Sequence, residues 1–184
     1  MIAEIGLGLL WLAAGLAVLQ SVLGGLALKM PHRPDLGNAI KPVAIAQGVL
    51  ATFAFAVLVY LFMISDMSVK LVADNSHSEK PWLYKFSGSW GNHEGSMLLW
   101  VAILSLSGSG IALLERRVRR DTLIATLMAQ GLIALGFYAF LLFSSNPFAR
   151  LNPAPSDGNG LNPLLQDPGL ALHPPTLYLG YVGM

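Results

Sequence analysis

The sequence has no cysteine, which excludes a disulfide-stapled fold, thiol–disulfide exchange and an iron–sulfur cluster held through cysteine. Charge is scarce as well: 11 Lys and Arg and 10 Asp and Glu make up 11% of 184 residues, where a soluble domain has about 25%. The two signs nearly cancel, at +1 with histidine neutral. No basic surface of the kind nucleic acid needs is present, so nucleic acid is set aside as a partner. Among weaker absences, there is no His-Glu-x-x-His spacing, no glycine-rich phosphate loop after a strand, and no Ser-His-Asp or Cys-His arrangement.

What is present is apolar residue, 54% of the chain, in long uninterrupted runs. Four segments carry no charge at all: residues 5–28, 42–65, 95–114 and 122–149. At about 1.5 Å per residue, a helix of 20 to 24 residues covers roughly 30 to 36 Å, the thickness of a bilayer's hydrocarbon core. The predicted fold class is therefore all-α: a polytopic integral membrane bundle with four complete spans, about residues 5–28, 42–65, 95–114 and 122–144. Glu4, rather than Lys or Arg, precedes the first run, and the run is too long for a secretory-signal core, so it reads as a resident helix.

Short connections rich in Lys and Arg tend to stay cytoplasmic. The connections at 29–41 and 115–121 hold seven of these residues in 20, whereas 66–94 and 150–174 hold four in 54. This places the N-terminus and two long loops, about 66–94 and 145–175, on the outer face, with His77, His93 and His173, and leaves His32 inside. Pro42 is expected at a helix start, Gly91 with Glu94 at the opening of the third span, and Asp121-Thr122 as a cap for the fourth. Trp82, Tyr84, Trp90 and Trp100 surround the outer start of the third span, where an interfacial aromatic belt is the simplest reading. Gln20, Gln47 and Gln130 lie within spans, where interhelical hydrogen bonding is their simplest role, and Met63, Met97 and Met128 read as packing.

Seven of eleven prolines fall between residues 146 and 175. They predict a stiff loop, with Leu161, Leu164, Leu165, Leu170 and Leu172 available to a membrane surface or partner. After Pro175 the sequence turns apolar again for nine residues, the start of a fifth helix, as in a piece of a longer protein.

Two places can carry chemistry. In Leu172-His173-Pro174-Pro175 the residue before proline is driven from helical geometry, so His173 is expected just ahead of the fifth helix. There its imidazole could ligate a metal or haem iron, or simply hydrogen-bond a helix end. In Trp90-Gly91-Asn92-His93-Glu94-Gly95 the glycines admit close approach of a flat ligand or a neighbouring helix. An ionisable pair at the membrane edge is a site candidate, the alternative being that Glu94 complements the helix dipole and His93 pairs locally.

These residues also carry a resemblance. The run from Trp90 through Ser96-Met97-Leu98-Leu99-Trp100, the stretch Ser144-Ser145-Asn146-Pro147-Phe148, the string Leu161-Asn162-Pro163-Leu164-Leu165-Gln166-Asp167-Pro168-Gly169-Leu170 with His173-Pro174-Pro175, and the start Glu4-Ile5-Gly6 resemble the CcmF family of cytochrome c-type biogenesis proteins. The resemblance covers the whole chain and implies that it is the N-terminal portion of a single multi-spanning domain. It implies the membrane core of a haem lyase in the bacterial inner membrane. Such a protein takes haem b from a periplasmic chaperone of the CcmE type and delivers it to apocytochrome c, which CcmH and CcmI present. His173 would be one of two periplasmic axial ligands, and Trp90, His93 and Glu94 part of the haem site or its supporting motif. No other metal ligand and no catalytic acid or base is implied, and the chain alone is not expected to be active. Without the resemblance, a haem or small-solute transporter, a respiratory-complex subunit or a structural scaffold would compete. The spans hold no ionisable residue at mid-depth, which argues against a proton path.

Overall fold

The computed structural model describes residues 1–183. Among them it is all-helical apart from one isolated bridge between Val69 and Arg150. Four long helices, α1 (Ile2–Lys29), α2 (Pro34–Met63), α5 (His93–Leu114) and α6 (Arg120–Phe143), are each long and apolar enough to cross a bilayer. The chain is a multi-pass membrane protein. The short helices α3 (Lys70–Asn75) and α4 (Trp82–Gly88) lie in the first long connection, and α7 (Pro168–Gly183) follows the second.

The four spans close a ring in which α1 meets α2 and α6, and α5 meets α2 and α6, while α7 lies outside it against α5. All long connections emerge at one end, called here the loop end; the other is the turn end. Lipid tails are as apolar as leucine, so close backbone approach and buried hydrogen bonds must hold such helices together. Gly48 lets α2 onto α5: a Cβ there would lie 2.8 Å from the Ser105 carbonyl oxygen. Gln20 donates to the Leu127 carbonyl and to Gln130 Oε1, both at 2.6 Å, joining α1 to α6. Ser105 meets Tyr138 hydroxyl to hydroxyl at 3.0 Å, and Ser109 donates to the Ala44 carbonyl at 2.9 Å. Gln20 and Gln130 thus have the interhelical role expected of them, and Gln47 is fully buried beside Tyr138.

Several boundaries differ from those read in the sequence. Helix α2 begins eight residues earlier than expected, with Pro34 at its start and Pro42 inside it. Proline's missing N–H costs nothing in a first turn, and it is Pro34 that occupies one. Helix α5 starts at His93 because the Asn92 side chain accepts the Gly95 N–H at 2.7 Å, an N-cap, with Glu94 in the first turn. Helix α6 starts at Arg120, so Asp121 is a first-turn residue that favours the dipole rather than a cap. The aromatic belt is replaced by packing at two positions: Trp90 is 4% exposed, while Trp82 at 69% remains an exposed ring. Trp100 stacks on Phe137 of α6, centroids 5.8 Å apart.

The largest correction concerns α7. It begins at Pro168 and runs through His173, Pro174 and Pro175, so His173 is a helical residue rather than the end of a stiff loop. Tertiary contact overrides the pre-proline preference here, as the site geometry explains. Of the leucines expected on a surface, Leu161 is buried and Leu172 exposed. The side chains of Leu164 and Leu170 lie outside the described residues, as does Met184.

Candidate functional site at the loop end

Several ionisable groups of the long connections bond to distant parts of the chain. Arg150 donates to both oxygens of Glu4, Nε to Oε1 and Nη2 to Oε2, each at 2.9 Å. It also reaches the Ser68 hydroxyl and lies 3.5 Å from Asp66. This bidentate fork ties the start of α1 to both connections, and the carboxylates hold the guanidinium above its ordinary pKa. Beside it, Lys70 N–H donates to the Ala149 carbonyl and Leu151 N–H to the Ser68 carbonyl, both at 2.8 Å.

The seam continues away from the membrane. Asn159 N–H donates to the Ala73 carbonyl at 2.8 Å and Gly160 N–H to the Ser76 carbonyl at 3.0 Å. Gly158, just before them, admits no side chain, since a Cβ there would overlap the Ser76 carbonyl oxygen. Asp157 accepts from the Ser78 N–H and hydroxyl and faces His77 Nε2 at 3.4 Å. The Ser78 hydroxyl and its own backbone donors pull the Asp157 carboxyl down to about 2. Lys80 is pushed down to about 8, by partial burial and then by the like charge of Lys85; its ammonium donates to the Asn75 carbonyl at 3.0 Å.

On this stitched platform α7 is seated by two tryptophans. Pro175 has no N–H to offer the Ala171 carbonyl one turn back, which leaves that oxygen without its helical partner. The buried Trp90 indole supplies the bond instead, Nε1 to the Ala171 oxygen at 2.8 Å. Trp90 is itself fixed edge-on by Phe86, 4.7 Å between centroids. Lower down, Trp100 meets Tyr178 at 5.1 Å and Tyr181 at 6.3 Å. The proline pair, expected in the first turn of the fifth helix, lies inside α7 instead and is accommodated because a neighbouring donor meets the freed carbonyl two residues before His173.

His173 is exposed at the upper part of α7, its carbonyl accepting the Thr176 hydroxyl at 2.8 Å. A groove of about 330 Å³, lined by Thr176, Leu177, Gly180 and Tyr181, runs below it on the same helix face. Nothing stands within 4 Å of a Cβ at Gly180, so the face is open to a flat apolar ligand. His93, by contrast, turns to α6. Its ring meets Phe140 edge-on at 5.6 Å and heads a second groove, about 340 Å³, lined by Met97, Ile133, Gly136, Phe137 and Phe140. Of the four residues singled out in the sequence, the structure links Trp90 to the helix of His173, and places His93 and Glu94 in the first turn of α5.

The donor set fits one side of a haem: an exposed imidazole above an apolar face, on a helix pinned by a buried contact. Among the described residues no cluster of three or more His, Asp or Glu is suited to a metal ion. Missed in the sequence were the Arg150 clasp and the Trp90–Ala171 bond. The signal for the latter is an invitation left by Pro175, whose preceding turn must present a bare carbonyl.

Comparison with known proteins places these observations in context. The family model "Cytochrome C assembly protein" matches residues 90–184. The chain is 49% identical over 184 residues to the cytochrome c-type biogenesis protein ccl1 of Rhodobacter capsulatus, covering 100% of this chain and 28% of that one. It is 49% identical over 183 residues to CycK of Rhizobium meliloti, covering 100% and 27%. It is 44% identical over 186 residues to CcmF of Escherichia coli, covering 100% and 28%. The chain therefore spans little more than a quarter of the length of these curated relatives. A solved structure titled "Cytochrome c Heme Lyase CcmF" superposes with a TM-score of 0.85 at 22% identity, over 100% of this chain and 28% of that one, a likeness of fold.

Proposed function

We propose that this chain, which belongs to the cytochrome C assembly protein family, forms the N-terminal portion of a single multi-spanning haem lyase domain. In this reading it holds haem b, as substrate, at the loop end of the bundle while haem is joined covalently to apocytochrome c. The observation that carries the reading is His173, an exposed imidazole on a helix fixed two residues away by Trp90, above an open apolar face. Haem supplies the iron that an imidazole ligates and the vinyl groups that take up the two thiols of the apocytochrome. The chain needs no thiol of its own, and it has none.

The residues present act by placement. His173 would hold the iron, and the face of Thr176, Leu177 and Gly180 would offer the macrocycle an apolar surface. Trp90 is a positioning residue, setting the height of α7 through the Ala171 carbonyl. His93 and Glu94 order the start of α5. A further ligand to the iron would be supplied from outside this chain, which spans 28% of its relative ccl1.

The loop end faces the periplasm in this reading, with the N-terminus on that side of the bacterial inner membrane. The supporting observation is the Lys and Arg distribution, seven in the short connections against four in the long ones. A periplasmic CcmE-type chaperone, the CcmH and CcmI subunits and apocytochrome c would approach the two stitched loops. The test is His173→Ala in the full-length protein, read by haem-stained cytochrome c and by the visible spectrum of haem trapped on the purified protein. Loss of both, with partial recovery on adding free imidazole, is expected. Normal attachment without added imidazole would overturn the ligand assignment.

A further inference from the structure

At the turn end, the first turns of α2 and α6 and the connection between α5 and α6 border an open cavity of about 480 Å³. Its polar wall carries three cations, Lys41, Arg116 and Arg120, and its floor is apolar, formed by Ile40, Leu123 and Ile124. We infer that this cavity binds the phosphate headgroup of an anionic phospholipid.

The construction of the wall supports this. Gly37 is buried, and a Cβ on it would lie 2.7 Å from an Arg120 guanidinium nitrogen. The missing side chain lets Arg120 lie across the start of α2, where it donates to the Pro34 carbonyl at 2.6 Å and lies 3.4 Å from Asn38 Oδ1. That leaves further N–H groups of the same fork for an anion. The one carboxylate in the wall, Glu115, is engaged by its own turn: Oε1 accepts the Arg117 and Val118 N–H groups at 2.7 and 3.0 Å. Neither Lys41 nor Arg116 forms an ion pair among the described residues. Glu115 is held ionised by these donors and by the nearby charge of Lys41, so the wall carries three positive charges against one negative and keeps a positive excess for an anion.

Depth selects the ligand. Four spans end here, so the cavity mouth sits at headgroup level and its apolar floor at the level of the first acyl carbons. A phosphodiester with its glycerol and chains satisfies both walls, whereas free phosphate satisfies only one. The inference depends on the chain's crossing the membrane, and not on which side the turn end faces or on the haem reading.

The test uses the full-length protein in nanodiscs, with native mass spectrometry counting retained phosphatidylglycerol against phosphatidylcholine. Lys41→Gln with Arg116→Gln is expected to lower phosphatidylglycerol retention about tenfold. Arg117→Gln with Arg119→Gln removes the same charge from the same turn outside the cavity and is expected to change it little. Arg116→Gln alone, at an exposed position, gives the same direction should the pair not fold. Unchanged retention in the cavity variants, or equal loss in both pairs, would overturn the site. Displacement of the lipid by millimolar inorganic phosphate would assign the cavity to a soluble anion instead.

Discussion

The two ends of the bundle differ in how much of their charge is committed. At the loop end, Arg150 is shared among Glu4, Asp66 and Ser68, and Asp157 among Ser78 and His77. Charge there is building material, consumed in fastening two connections to each other and to α1. At the turn end Arg33 pairs with Asp35, Arg119 lies 3.9 Å from Asp121 and Arg120 holds the Pro34 carbonyl, but Lys41 and Arg116 stand without ion pairs among the described residues. Charge left unconsumed is charge available to a ligand. The difference teaches that α7, with the proposed haem ligand His173, rests on the end where polar groups are committed to one another.

The comparison breaks most visibly at His173. Its replacement by alanine in the full-length protein should reduce covalent haem attachment about a hundredfold or more, because misplacement of a reacting group by about 1 Å already costs that much; haem staining of matured cytochrome c measures it. Gly158→Ala should then separate the two connections, since the new Cβ cannot share space with the Ser76 carbonyl. A cost of about 1 to 3 kcal/mol follows from overpacking, seen as faster proteolytic cleavage near residues 76 and 158 with the spans intact.

Trp90→Phe keeps the ring packing and removes the indole N–H, leaving the Ala171 carbonyl unpaired. About 1 to 2 kcal/mol should be lost in docking α7. Hydrogen exchange confined to α7, with haem affinity falling and α1–α6 unchanged, would distinguish that local effect from general unfolding. Asp157 gives a smaller, pH-dependent effect. Its carboxyl is lowered to about 2 in the folded protein, so its contribution is present above the ordinary carboxylate range and is lost as pH falls from about 4 through 2. Asp157→Asn should abolish that part of an acid titration followed by loop proteolysis. Least affected should be Arg117→Gln, at an exposed position of the turn end, within about 0.5 kcal/mol in thermal unfolding.

The spans were legible because a bilayer forbids unpaired charge, and 96 of 184 residues form runs without any. Their ends were not, because a helix continues past the last apolar residue into the headgroup layer, as α2 does from Pro34. His173 was singled out by its residue type and neighbours but expected in the wrong backbone conformation. The rule that disfavours a helix before proline is local, and the donor that rescues this one arrives from Trp90, 81 positions away in sequence. The Arg150 clasp was hidden for the same reason: nothing near Glu4 in sequence announces its partner.

That clasp also has a bearing on how the protein is made. Glu4 and Arg150 are separated by 146 positions, so the first helix to enter the bilayer waits for the whole of the fourth to follow before its carboxylate is met. The clasp beneath α7 therefore closes only after the fourth span is made, and a chain halted before it would expose its first long connection unfastened to proteases, a ready mark for disposal of incomplete copies.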